Sequence, residues 1–168
     1  MATGAEWTTG YARQADADFK MFQYLQPDAS VAVCHKLQFL QMACEKLVKA
    51  HLCSDGTDPD DLQTSHAYVA GTLPIVLRQE AIAVNFTGAH ARWVLQRAKH
   101  LSQEIELLAP AVKRGGQRPD NCEYPWEDDG DNLHIPLVWS FIPAQLLVEP
   151  AGRSFLKLIR GAIDRLLQ

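Results

Sequence analysis

The sequence predicts an all-α protein, an up-and-down bundle of about five helices with a long irregular segment before the last one. Three observations carry this. Apolar residues recur every three or four positions through most of the chain, which is the helical period. Alternating apolar and polar runs of strand length are missing. Prolines fall between the periodic segments or at their ends, with one exception at Pro74. The 168 residues fit one domain, taken as 1–168.

The first helix is expected over Gln14–Leu25, with Phe19, Phe22 and either Met21 or Leu25 facing inward and Pro27 ending it. Asp28 or Ser30 is placed to cap a longer second helix running to about Leu52. Its stripe is Val33, Leu37, Leu40, Cys44, Leu47 and Val48. Ser54–Asp61, rich in aspartate, glycine and proline, reads as a solvated loop. A third helix is expected from Thr64 to about Gln79, with Pro74 either kinking it or marking a start near Leu73. The fourth spans about His90–Ala109 and buries Val94, Ala98, Leu101, Ile105 and Leu108.

Residues 110–147 hold the glycine pair Gly115–Gly116, several prolines and the acidic run Glu127–Asp131. A segment of that length without periodicity is a candidate functional region. The last helix opens at Glu149–Pro150, with proline at its first position. Advancing about 100° per residue, Phe155, Leu158, Ile159, Ala162 and Leu166 gather on one face. Ile163 borders that face, and Arg153, Lys157 and Arg160 lie opposite.

Hydrophobic residues at 47% and charged residues at 21% exclude disordered, collagenous and low-complexity proteins. A net charge of -4 argues against a general nucleic-acid binder but leaves room for a local basic stripe. The opening residues show no secretory pattern and no apolar run reaches membrane-spanning length. A cytoplasmic protein without a membrane partner is expected. Of the four cysteines, Cys34 and Cys44 would stand about 15 Å apart along one helix, too far to bridge. No CxxC pair is present, so reduced thiols and no metal are expected. Signatures of P-loop, dinucleotide-binding, α/β-hydrolase and zincin chemistry are missing, and no cofactor is expected.

Cys34–Leu52, reading CHKLQFLQMACEKLVKAHL, is followed after a short loop by TSHAYVAGTLPIVL. This layout resembles the HEPN superfamily (higher eukaryotes and prokaryotes nucleotide-binding). There a long helix carries an A-E-K-x-x-K-A pattern and the next helix opens with a histidine. The matching residues are Ala43, Glu45, Lys46, Lys49, Ala50 and His66, with Cys44 inserted after the alanine. Asn121–Gly130, NCEYPWEDDG, is similar to the aromatic–proline stretch before the final helix in several members. The resemblance extends from about residue 14 to 168.

HEPN ribonucleases carry an arginine, four to six intervening residues and a histidine near the last helix at a dimer interface. No arginine here has a histidine at that spacing. After Arg153, the corresponding positions are Leu158, Ile159 and Arg160. A leucine cannot take the proton-transfer role of an imidazole. The resemblance therefore implies a member lacking the ribonuclease motif. Such a member would be a non-catalytic interaction module, a homodimer or a hetero-oligomer with a neighbouring protein, in a bacterial defence or toxin–antitoxin type of system. Two alternatives stand beside it, an atypical ribonuclease acting on RNA and a nucleotide or small-ligand binding domain.

The candidate residues follow from these readings. Arg153, Lys157 and Arg160, one turn apart, could track a phosphate backbone or simply form a solvated face. Arg97 and His100 are neighbours on the fourth helix and could share a phosphate, although Glu104 at the next turn offers an ordinary ion pair. Glu123, Tyr124 and Trp126 could stack a base or dock a partner, or could pin the long segment onto the bundle.

Overall fold

The computed structural model describes residues 2–63, 67–110 and 120–168, and these form an all-α bundle with one very small sheet. His66 and the Gly115–Gly116 pair lie outside the described residues.

α1 spans Gly4–Leu25, so it begins ten residues before the apolar period predicts. The large rings of the added turns are Trp7 and Tyr11, one turn apart and 5.7 Å between centres, and two positions are too few to establish a period. Local hydrogen bonds hold these turns. The Glu6 amide donates to Thr3 Oγ1 at 3.3 Å and the Thr3 amide donates to Glu6 Oε2 at 2.7 Å, a reciprocal capping box. Thr8 and Thr9 hydroxyls donate to the carbonyls of Gly4 and Ala5. Ala12 and Ala15 then let this half of the helix lie close to its neighbour, both fully buried.

α2 spans Val33–Ser54. Asp28 does not cap it. Asp28 Oδ1 accepts from the amide and hydroxyl of Ser30 and closes the preceding turn, while Ala32 stands at the cap without a side-chain bond. Val33, expected inside, is exposed because the stripe starts one residue later, at Cys34. The remaining predicted stripe, Leu37 to Val48, is buried. Gln26 and Asp28 carbonyls both accept from Lys36 Nζ, which ties the link back onto α2.

The acidic loop is shorter than expected. Asp58 accepts from the Asp60 amide at 3.0 Å and starts a single turn, α3, at Pro59–Gln63. α4 spans Val69–Ala83, starting later and ending later than the sequence predicts. Pro74 sits within it, neither at its start nor at a break. As the sixth residue of α4 it removes one intrahelical donor, because proline has no N–H. Asn85, in the left-handed region at φ 53°, turns the chain into α5, Gly88–Glu106. The predicted α5 stripe is buried throughout, and Leu108 packs just beyond the helix end.

The segment after α5 is more ordered than its composition suggests. Strands β1, Trp126–Glu127, and β2, Leu133–His134, pair antiparallel with Trp126 opposite His134. This hairpin was not expected, since two-residue strands are too short to show an alternating pattern. A 3-10 turn at Pro136–Val138 and a short helix α6, Ile142–Leu147, follow. α7 spans Pro150–Leu166 with Glu149 at its N-cap and proline at its first position, as predicted.

The core is continuous. Phe19 of α1, Leu40 and Leu47 of α2, Leu73 and Leu77 of α4, Leu101 and Ile105 of α5, Phe141, and Phe155, Ile159 and Ile163 of α7 are all essentially inaccessible. α2 touches α1, α4, α5, α6 and α7, and so forms the central element. No helix among the described residues is long and apolar enough to cross a membrane.

Candidate functional site

The charged residues of the A-E-K-x-x-K-A string are spent inside the bundle. Lys49 Nζ lies 2.8 Å from Glu45 Oε1, one turn away, and both side chains are under a tenth exposed. Gln41 donates to the other Glu45 oxygen at 3.0 Å. Lys46 reaches across to Asp18 of α1 at 3.0 Å. Ala43 and Ala50 are fully buried between helices. A buried ion pair fixes helix register more than it adds net stability. This string therefore works structurally in the fold: Lys46 joins α2 to α1 through Asp18, while Lys49 and Glu45 pair within α2.

The basic residues of α7 separate. Arg160 was expected on the outer face with Arg153 and Lys157, but it is half-buried. It turns toward α1, donates to Asp16 at 2.7 Å and also pairs with Asp164. Its guanidinium carbon stands 5.9 Å from the Phe19 ring centre, within cation–π range. Phe19 and the Asp16 carboxylate form a niche on α1 that the helical wheel of α7 alone cannot show. Arg153 donates to the Val148 carbonyl at 2.6 Å, two residues before the start of its own helix. Lys157 has no ion partner among the described residues. With Glu80, Asn85, Phe86 and Ser154 it lines an open groove of about 460 Å³ between α4 and α7.

Arg97 and His100 share one side of α5. Arg97 lies 3.7 Å from Glu149, the N-cap of α7, which brings it to the corner where Arg153 meets Val148. His100 Nε2 lies 3.5 Å from Glu104. Arg97 and Arg153 are thus brought to the corner where α5 meets the start of α7, with His100 one turn along α5 from Arg97. Arg160 is not brought there.

In the long segment, Asn121 organises the local chain. Its Oδ1 accepts from the amides of Glu123 and Tyr124 at 2.8 and 2.7 Å. Trp126 is buried and packs against Trp139 and His134, with ring centres 5.3 and 5.9 Å away. His134 in turn pairs with Asp128 at 2.8 Å, across the hairpin turn. The His134 hydrogen bond, with backbone bonds from Asn132 and Gly130, holds the Asp128 carboxyl well below its ordinary range. Trp126 is the anchor of this segment. Glu123 and Tyr124 face solvent.

A further basic feature escaped the sequence reading. Arg78 of α4 and Arg92 and Lys99 of α5 border an open groove of about 500 Å³, floored by Pro74, Ile75 and Leu95. None of the three cations pairs with a described residue. The α5 half of this pattern was readable: Arg92, Leu95, Gln96 and Lys99 recur at three and four, opposite the buried stripe. That Arg78 joins them is a tertiary fact.

Among the described residues, no cluster of three histidine, cysteine or acidic side chains is placed to hold a metal ion. No family model matches the chain, and neither does any curated protein or solved structure.

Proposed function

We propose that this protein is a non-catalytic, HEPN-like interaction module. It acts as a homodimer or with a protein encoded beside it, in a bacterial defence or toxin–antitoxin type of system, in the cytoplasm. One observation carries the reading. At the positions where the ribonucleases place their histidine after Arg153, Leu158 and Ile159 are core residues, 6% and 0% exposed, and Arg160 is tied to Asp16. No imidazole stands there to transfer a proton, and none could be substituted without opening the core.

The test is incubation of labelled single-stranded RNA with the full-length protein and with His100→Ala. The expected result is intact RNA in both. Sedimentation then reports the oligomeric state, and co-purification with the neighbouring gene product tests the partner.

A second reading, an atypical ribonuclease, draws on Arg97 and Arg153 sharing the corner of α5 and α7, with His100 one turn along α5 from Arg97. It predicts cleavage by the wild type that His100→Ala abolishes, and that result would overturn the first.

A further inference from the structure

α4 and α5 are joined by a short turn and run side by side, with the Ala70 amide of α4 donating to Glu106 of α5 at 2.8 Å. The outer face of this pair carries the groove described above. Its floor is aliphatic. Ile75 is 53% exposed there, and Pro74 and Leu95 flank it. Arg78 borders one side, and Arg92 and Lys99 the other, about 10 Å apart along α5. Glu106, the acidic residue at the far end of the same α5 face, is engaged at the start of α4.

The chain as a whole is acidic, with a net charge of -4. Three cations around one aliphatic floor, with no carboxylate of the described residues paired to them, therefore amount to a segregation of charge. Unpaired like charges repel and are retained at some cost unless a partner of opposite charge covers them. The floor decides what kind of partner. Nucleic-acid grooves place aromatic rings where bases can stack, and no aromatic ring lines this one. The exposed ring nearest on α5, Trp93, packs instead toward His90, 5.6 Å away. An aliphatic floor between basic rims fits an amphipathic helix, its apolar side chains at three- and four-residue spacing in the floor and its carboxylates against the rims.

We infer that the α4–α5 groove docks an acidic amphipathic helix of a partner protein, with Ile75 and Leu95 taking its apolar side chains and Arg78, Arg92 and Lys99 its carboxylates. This rests on the reading of the protein as a partner-binding module and assigns that partner a chemistry.

The test uses the full-length protein and three fluorescent probes. One is a peptide with leucines every three or four residues and glutamates between them. The second is the same composition shuffled so that no apolar stripe remains. The third is a single-stranded oligonucleotide of equal charge. The helical peptide is expected to bind wild type in a salt-sensitive manner, more tightly than either control. Arg92→Glu with Lys99→Glu should weaken it about tenfold or more, since like charges across an interface cost at least that much. Ile75→Ser should weaken it without changing the salt dependence. All these positions are at the surface, and helical circular dichroism confirms that each variant folds.

Absence of peptide binding overturns the inference, as does equal binding of the shuffled peptide or an unchanged affinity in the double variant. Preferential binding of the oligonucleotide would make the groove a nucleic-acid site instead. The module reading fails on different evidence, namely RNA degradation. If the peptide does not bind and RNA stays intact, only the groove assignment falls.

Discussion

Arg160 and Asp16, 144 positions apart in the sequence, meet at 2.7 Å and clasp the last helix to the first. Both side chains are less than a quarter exposed, so the pair is partly shielded from solvent. Burial pushes the Asp16 carboxyl up, but hydrogen bonds and charge from Lys20 and Arg160 outweigh it and hold the group below its ordinary value. A carboxyl depressed in the folded state contributes stability above its unfolded value, 3.8, and loses it as pH falls further. Asp16→Asn should therefore cost about 1–2 kcal/mol at neutral pH. The gap to wild type should close below about pH 4. Urea unfolding at several pH values checks this; a gap that widens in acid would contradict it.

Lys49 and Glu45 form the most buried ion pair among the described residues. Lys49→Met takes the adjacent cation from the buried Glu45 carboxylate and should destabilise by about 3 kcal/mol. Combining Glu45→Gln with Lys49→Met keeps an acceptor for Gln41 and removes the buried negative charge. The double variant should recover much of the loss, read as the midpoint of chemical denaturation. Equal loss in both would mean that packing, not charge, dominates there.

Gly152 in the first turn of α7 lies against the backbone of α6. A Cβ added there would stand 2.5 Å from Leu147 Cα and 2.7 Å from the Leu147 carbonyl oxygen, and closer still to the Leu146 carbonyl. Backbone cannot swing aside as a side-chain end can. Gly152→Ala gains about 1 kcal/mol in helix propensity but should lose about 1–2 kcal/mol net through overpacking. A fall of several degrees in the unfolding temperature is expected; a rise would show that the α6–α7 corner yields easily.

Cys34, Cys44, Cys53 and Cys122 are all buried and unbridged. Burial pushes the Cys44 thiol far above its ordinary value, so almost no thiolate forms at neutral pH. Mass spectrometry after brief alkylation should find Cys44 unmodified in the native protein and modified in denaturant. Rapid native labelling would imply that the α2 region opens on that timescale.

The sequence made the helical class and most of the interior legible. Apart from Val33 and the half-buried Leu166 at their ends, the stripes of α2, α5 and α7 lie where their spacing places them, because a helix repeats its faces at a fixed period and only one face can be buried. The first ten residues of α1 were not legible. Capping and threonine hydrogen bonds hold them, and their one aromatic pair, Trp7 and Tyr11, is too short a repeat to reveal a period. The hairpin around Trp126 was hidden for the same kind of reason, since its strands are shorter than the period that would reveal them.

The amino-acid order alone determined which residues could be helical, which could be buried, and that no arginine is followed by a histidine at the nuclease spacing. Only the packed structure decided how the charges were used. It drew Arg160 into a pair with Asp16, spent Lys46 on joining α2 to α1 and Lys49 on a buried pair within α2, and gathered Arg78, Arg92 and Lys99 around one aliphatic floor. The reason is that helical periodicity acts over a few residues along the chain, whereas a charge is paired or left unpaired by whatever lies within a few ångströms in space.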